Sequence, residues 1–200
     1  VIEDRGLEEG GASGGVMQIP FSAYADDCTV TGEVALSADR LSDFLAATTE
    51  FEVDGAAFKA LDDGRVVEAA SAAVLRDDLC IVAASGPRGR PERRLWTRQH
   101  AVRARVGPYV VLGYLHAPPT IDPLRTTDRR TIVALTSSVV EYAVAGEMRR
   151  EPAEAVLVNR AKIDLLEPAT EADLGLGKKL ELQVPVDKGA KDLTGGEGLI

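Results

Sequence analysis

Short stretches of alternating apolar and polar residues, each closed by Gly, Asx or Pro, recur along this chain and predict a succession of strands. The first predicted strand runs from Cys28 to Leu36. It is followed by a short helix over Ser37–Leu45, where Leu41, Phe44 and Leu45 share one face and Ser37 is placed to cap. Strands are then expected at Phe51-Glu52-Val53 and Ala57–Leu61, and, after a turn at Asp62-Asp63-Gly64, at Arg65–Glu68. Ala73–Arg76 and Leu79–Ala83 follow, meeting at Asp77-Asp78. The second half reads in the same order: strands at Ala101–Val106 and Tyr109–His116 around Gly107-Pro108, then Thr131–Leu135 and Val139–Ala145. A turn at Ala145-Gly146 leads to Ala155–Val158 and Lys162–Leu166, which meet at Asn159-Arg160. Where the first half has its helix, the second has Pro118-Pro119-Thr120-Ile121-Asp122-Pro123-Leu124. Three prolines there predict a loop, since Pro lacks the amide donor and clashes with a preceding turn.

The recurrence reaches individual positions. Val74-Leu75-Arg76-Asp77-Asp78-Leu79-Cys80-Ile81 returns 82 positions later as Val156-Leu157-Val158-Asn159-Arg160-Ala161-Lys162-Ile163, and Gly64 falls on Gly146. With a one-residue slip, Thr29-Val30-Thr31-Gly32-Glu33-Val34 matches Val110-Val111-Leu112-Gly113-Tyr114-Leu115. Self-similarity at so long a period predicts duplicated supersecondary units. The expected fold is all-β: two tandem barrel-like or sandwich repeats, one short helix in the first, and no βαβ crossovers. The expected organisation is a flexible arm at 1–16, repeats at 18–85 and 101–168 joined by a linker at 86–100, and a C-terminal strand and tail at 169–200.

Composition narrows the function classes. Of 200 residues only four Phe, four Tyr and one Trp are aromatic, so the cores are aliphatic and small. Units of this size bury a low fraction of their surface and gain from packing on each other or on a partner. A formal charge of −9 disfavours general nucleic-acid binding and anionic membranes. No apolar run approaches the ~18 residues of a membrane span. Two cysteines make no disulfide framework, and the acidic start lacks a secretory n-region, so a cytoplasmic protein is expected.

The basic segment between the repeats stands against this acidic background. Arg88, Arg90, Arg93, Arg94, Arg98, Arg103 and Arg105 surround Trp96, with Glu92 the one acid among them. Guanidinium forks and an indole face suit phosphates and a stacked base. The simpler reading is a basic linker lying on the protein's own acidic surface. Asn159 and Arg160 suit an RNA contact too, although tight-turn chemistry explains Asn159 by itself. The loop at Pro118, Pro119 and Ile121 and the free strand Leu180–Val186, with Leu180, Leu182, Val184 and Val186 in alternation, are candidates for contact with a protein partner. His100 and His116 belong to no ligand cluster, Cys28 and Cys80 lie in apolar strands, and no Gly-rich phosphate loop precedes a helix. No metal, cofactor or catalytic residue is assigned, and no enzyme is expected.

The strand–Gly–strand opening, Arg40-Leu41-Ser42-Asp43-Phe44-Leu45, Phe51 and the closing Val156-Leu157-Val158-Asn159 to Ile163 hairpin together resemble a small uncharacterised bacterial domain family without an assigned activity. The closing hairpin is also similar to the end of Sm-like small barrels. The likeness covers most of 26–85 and 106–168, although the second copy has lost the Leu-Ser-Asp-Phe-Leu segment. It implies a compact β unit and supplies no catalytic residue. The expected role is therefore a non-catalytic interaction or assembly module with a protein partner or itself. The alternative is an Sm-like RNA-binding regulator using the Arg-rich linker.

Overall fold

The computed structural model describes residues 16–87, 96–128 and 130–175. These form one antiparallel sheet of ten strands and a single α-helix. The elements are β1 (Met17–Ala25), β2 (Cys28–Leu36), α1 (Leu41–Ala47), β3 (Glu50–Ala60), β4 (Val66–Leu75), β5 (Leu79–Ala83), β6 (Arg98–Val106), β7 (Tyr109–Ala117), β8 (Ile132–Val144), β9 (Glu147–Asn159) and β10 (Ile163–Pro168). Across the sheet the order is β10-β6-β7-β8-β9-β5-β1-β2-β3-β4. Within it, the sequence β5-β1-β2-β3-β4 has the same form as β10-β6-β7-β8-β9.

Several expected elements differ in extent. β1 was not anticipated, and Pro20 removes a donor from the middle of it. The strand is nonetheless driven by Ile19, Phe21 and Ala23, which alternate inward and are all buried. β1 pairs with β2 over nearly its whole length but with β5 only at Ala23–Ala25, so Pro20, which has no N–H to give, lies beyond the stretch where β1 has a ladder on both sides. Pro152 on β9 is placed in the same way, since β9 meets β5 only at Val156–Val158. β3, β4 and β8 are each one long strand where two short ones were expected, and β9 is a long strand where only Ala155–Val158 was expected. Main-chain pairing continues through the polar stretches, as in the unbroken register from Ile132↔Asn159 to Val144↔Glu147.

α1 begins at Leu41 with Arg40 at its cap position and no side-chain cap, so Ser37 does not cap it. Residues 37–40 are needed to turn the chain from β2 onto the sheet face. The predicted apolar face holds: Leu41, Phe44 and Leu45 are buried, and the Phe44 ring meets Phe51 edge-on at 5.4 Å. The proline-rich connection contains no α-helix, as expected, only a 3-10 turn at Leu124–Thr127. Asp77-Asp78 belong to the 3-10 turn Arg76–Asp78, and Asn159, the last residue of β9, caps the 3-10 turn Arg160–Lys162. Arg98, Gln99 and His100 already form the start of β6, so the linker is shorter at that end than 86–100.

A bulge bends the third strand of each half, β3 and β8, where it pairs with the second. Gly32 faces Gly55-Ala56, and Gly113 faces Ser137-Ser138, one residue against two. The bulged residues Gly55 and Ser137 both have positive φ, 57° and 47°. A Cβ on Gly32 would stand 2.6 Å from both the Asp54 carbonyl oxygen and Val53 Cγ1, so only glycine lets β3 approach this closely. These bends fold the sheet around two separate apolar cores. One gathers α1 and the inner residues of β1–β4, including Phe21, Val34, Leu36 and Phe51. The other gathers β6–β9, including Tyr109, Val111, Leu115 and Leu135.

Candidate functional site: a seam and two open edges

The halves meet where β5 pairs with β9, at Ile81↔Val158, Val82↔Leu157 and Ala83↔Val156. Leu79, Cys80, Ile81 and Val82 are all buried, because β5 has a core on each face. Leu79 and Val82 join the first core, whereas Cys80 and Ile81 join the second. β9 reciprocates: Val156 and Val158 lie in the second core and Leu157 in the first.

Polar contacts lock this seam. Tyr24 of β1 donates to Glu151 Oε2 at 2.8 Å and Tyr142 of β8 donates to Oε1 at 2.6 Å, so one carboxylate accepts from both halves. With Tyr109, whose hydroxyl donates to the Ala25 carbonyl, these rings pack with centroids 5.4–5.6 Å apart. Burial first, and for Tyr24 and Tyr142 the bond to Glu151 next, raise all three hydroxyls above the ordinary tyrosine range. Nearby, Lys162 Nζ sits 2.6 Å from Asp26 Oδ2, and the Cys80 thiol donates to Oδ1 at 3.1 Å. Lys162, then Cys80, hold the Asp26 carboxyl below its usual range. Burial chiefly, then the aspartates beside them, push Cys80 up to about 12 and Cys28 to about 11. Both thiols are therefore protonated at neutral pH and are poor nucleophiles.

Asn159, a sequence candidate for RNA contact, is 5% exposed and fully committed inside the protein. Its Nδ2 donates to the Leu79 carbonyl at 3.1 Å, and its Oδ1 accepts from the Ala161 amide at 3.1 Å. It is a turn-former that ties β9 to β5. Arg160 remains at the surface, its Nη2 3.4 Å from Asp128 Oδ1 and its Nε without a hydrogen-bond partner among the described residues. Arg98, Arg103 and Arg105 lie exposed on β6, and Trp96 is 76% exposed just before it. Arg88, Arg90, Arg93 and Arg94 fall outside the described residues, as do Leu180, Leu182, Val184 and Val186. Pro118, Pro119 and Ile121 form a surface turn closed by the Ile121 amide on the Pro118 carbonyl, with Ile121 exposed. His116 bridges Thr97 and Thr136, and burial lowers its pKa, which favours a neutral imidazole. Among the described residues no group of three or more His, Cys, Asp or Glu could hold a metal ion.

The surface that sequence reasoning missed consists of the two sheet edges. Among the described residues β4 pairs only with β3, and β10 only with β6. β4 exposes Val66, Val67 and Leu75 and carries a single charge, Glu68, with neither Lys nor Pro to discourage pairing. β10 exposes Leu165. Beside β10 opens a cleft of about 240 Å³ lined by Leu124, Thr127, Asp128, Arg160, Ile163 and Leu165, among others. The signal for β4 was present in its run of Val and Ala without gatekeeping charge. Its position at an edge was not.

Comparison of the chain with protein-family models, with curated proteins and with solved structures gave no match. No helix among the described residues is long and apolar enough to cross a membrane.

Proposed function

We propose that this protein is a non-catalytic interaction or assembly module that binds protein partners by adding strands to its open sheet edges. In this reading β1–β5 and β6–β10 are two copies of one five-strand, barrel-like unit. The matching strand orders, the paired bulges at Gly32 and Gly113, and the 3-10 turns before β5 and β10 support the duplication. The likeness to Sm-like small barrels belongs to the same proposal.

One observation carries the functional reading. At the end of β9, where β5 lies beside it, Val156, Leu157 and Val158 are all buried, while at the corresponding end of β4 Val74 is buried but Ala73 and Leu75 are bare. A main-chain edge of this kind, apolar and without charged guards, supplies both the hydrogen bonds and the burial for a partner strand. The test is the native mass of the protein isolated from its own cells in mild salt, beside Leu75→Asp and Leu165→Asp variants. An assembly that both substitutions reduce supports the reading. A lone chain in every case refutes it.

The exposed Trp96, next to Arg98 and the Arg-rich segment, favours a second reading, an RNA-binding regulator. That reading expects RNA affinity that falls steeply with salt and is lost on replacing Arg93, Arg94 and Arg98. Binding indifferent to salt or to those three changes rejects it.

A further inference from the structure

We infer that the partner is a second copy of this chain, added head to tail, with the β10 edge of one copy pairing antiparallel with the β4 edge of the next. The inference rests on the strand-addition reading above. The protein already contains the contact it needs: β5, last strand of the first half, pairs with β9, fourth strand of the second. Among the described residues the two strands left open are the fourth strand of the first half and the last strand of the second, β4 and β10. They are the complementary members of the same contact.

Register follows from position. Ile81 is the third residue of β5 and Val158 the last but one of β9; the residues so placed in β10 and β4 are Leu165 and Val74. The expected pairs are thus Leu165↔Val74, Leu166↔Ala73 and Glu167↔Ala72. Leu165 and Leu75, 44% and 47% exposed in the single chain, both become covered. No like charges oppose each other: Asp164, which accepts from its own Gly107 amide, comes opposite Leu75, and Glu167 comes opposite Ala72.

The side chains beside the edge agree. At the internal seam the first core takes in Leu157 and packs against Ile132, which opens β8 opposite Asn159. Glu50 opens β3 opposite Leu75 and so stands where Ile132 stands. The surface that would receive it is the cleft beside β10, where the 3-10 turn Leu124–Thr127 takes the place of α1 and Arg160 begins the turn before β10 as Arg76 does before β5. An exposed Glu50 of the next copy therefore meets the part-exposed guanidinium of Arg160, whose Nη2 lies 3.4 Å from Asp128 Oδ1 in the single chain. Apolar meets apolar at the internal seam; at the external one Glu50 meets Arg160 in a cleft that Asp128 and Asp164 also line.

Because the contact is heterologous, repetition gives a ring if the rotation closes and an open chain if it does not. The experiment is sedimentation of the purified full chain at micromolar concentration. Wild type is expected as a defined multiple of the chain, and Leu75→Asp and Leu165→Asp each as a single chain. An equimolar mixture of the two variants, each with one intact edge, should form a one-to-one dimer and nothing larger. Glu50→Arg and Arg160→Glu should each weaken association about tenfold, and their combination should restore it. A mixture that stays monomeric, or single variants that keep the wild-type mass, overturns the inference. So does a wild-type monomer that binds a different polypeptide through these edges, although that outcome leaves the strand-addition reading standing. A wild-type monomer with no edge-dependent partner overturns both.

Discussion

Replacing Gly32 by alanine tests the packing of β2 against the bulge of β3. The added methyl would lie 2.6 Å from the Asp54 carbonyl oxygen and 2.6 Å from Val53 Cγ1. Neither can step aside cheaply: the first is backbone held in the β2–β3 and β3–β4 ladders, and Val53 is wholly buried. Overpacking of this sort costs about 1–3 kcal/mol, and a backbone clash belongs at the upper end. Alanine also reduces the freedom of the unfolded chain, which returns about 0.4–1 kcal/mol. The net expectation is a loss of about 2–3 kcal/mol, or roughly 4–12 °C in melting temperature for a chain of this length. Gly55→Ala is the control. Its methyl meets nothing within 4 Å, yet its φ of 57° is unfavourable for alanine, so about 1 kcal/mol is expected from backbone strain alone. Urea unfolding of the two variants beside wild type gives the comparison. A Gly32→Ala protein within about 0.5 kcal/mol of wild type would refute the claim that β2 and β3 touch through this glycine.

Three further outcomes can be checked with the same assay. Ser137→Gly should stabilise by about 0.5–1 kcal/mol, because Ser137 holds a φ of 47° at the bulge corresponding to Gly55; unchanged or lower stability contradicts this. Asn159→Ala should cost about 2 kcal/mol, since it strands the Leu79 carbonyl and the Ala161 amide at the seam; a change under about 0.5 kcal/mol would show that water serves them as well. The third concerns alkali. Tyr24, Tyr109 and Tyr142 have folded pKa values raised above the unfolded value near 10, so the stability they contribute is complete below about pH 10 and lost as pH rises above it. The decline has a ceiling of about 1.4 kcal/mol per pH unit for each tyrosine. Cys80 adds to it between 9.0 and about 12. A urea midpoint that holds steady from about pH 9 to 11 would contradict the buried cluster.

Much of the fold was legible along the chain because the signals were local. Leu41, Phe44 and Leu45 could only bury together on one face of a helix, and three prolines could not make a second helix after β7. The Ala145-Gly146 turn and the bounds of β2 follow from the same short-range rules. β1 was not read from the sequence; it carries Pro20 in its middle, and whether a proline is tolerated depends on which neighbour lies beside it. β3, β4 and β8 read as broken strands, and β9 as its last few residues alone, because their polar stretches carry no burial signal. Ladder hydrogen bonds, which any residue but proline can supply, hold them together. Asn159 shows the same division for the candidate site: the residue type announced a turn, but only the approach of β5 decided that its amide would be buried and spent on Leu79.

What the amino-acid order by itself determined was most of the strands, though not β1 or the full length of several others, together with the helix and the turns. What only the tertiary structure decided was which strands lie side by side. Side-chain alternation specifies which face of a strand is buried, and is silent about which strand supplies the neighbouring ladder. β5 with its unbroken apolar run fits between two cores, and β4 with its Val and Ala does not differ in kind. Their places in the sheet, one at a seam and one at an edge, come from long-range pairing, and those places determine which surface is left open to a partner.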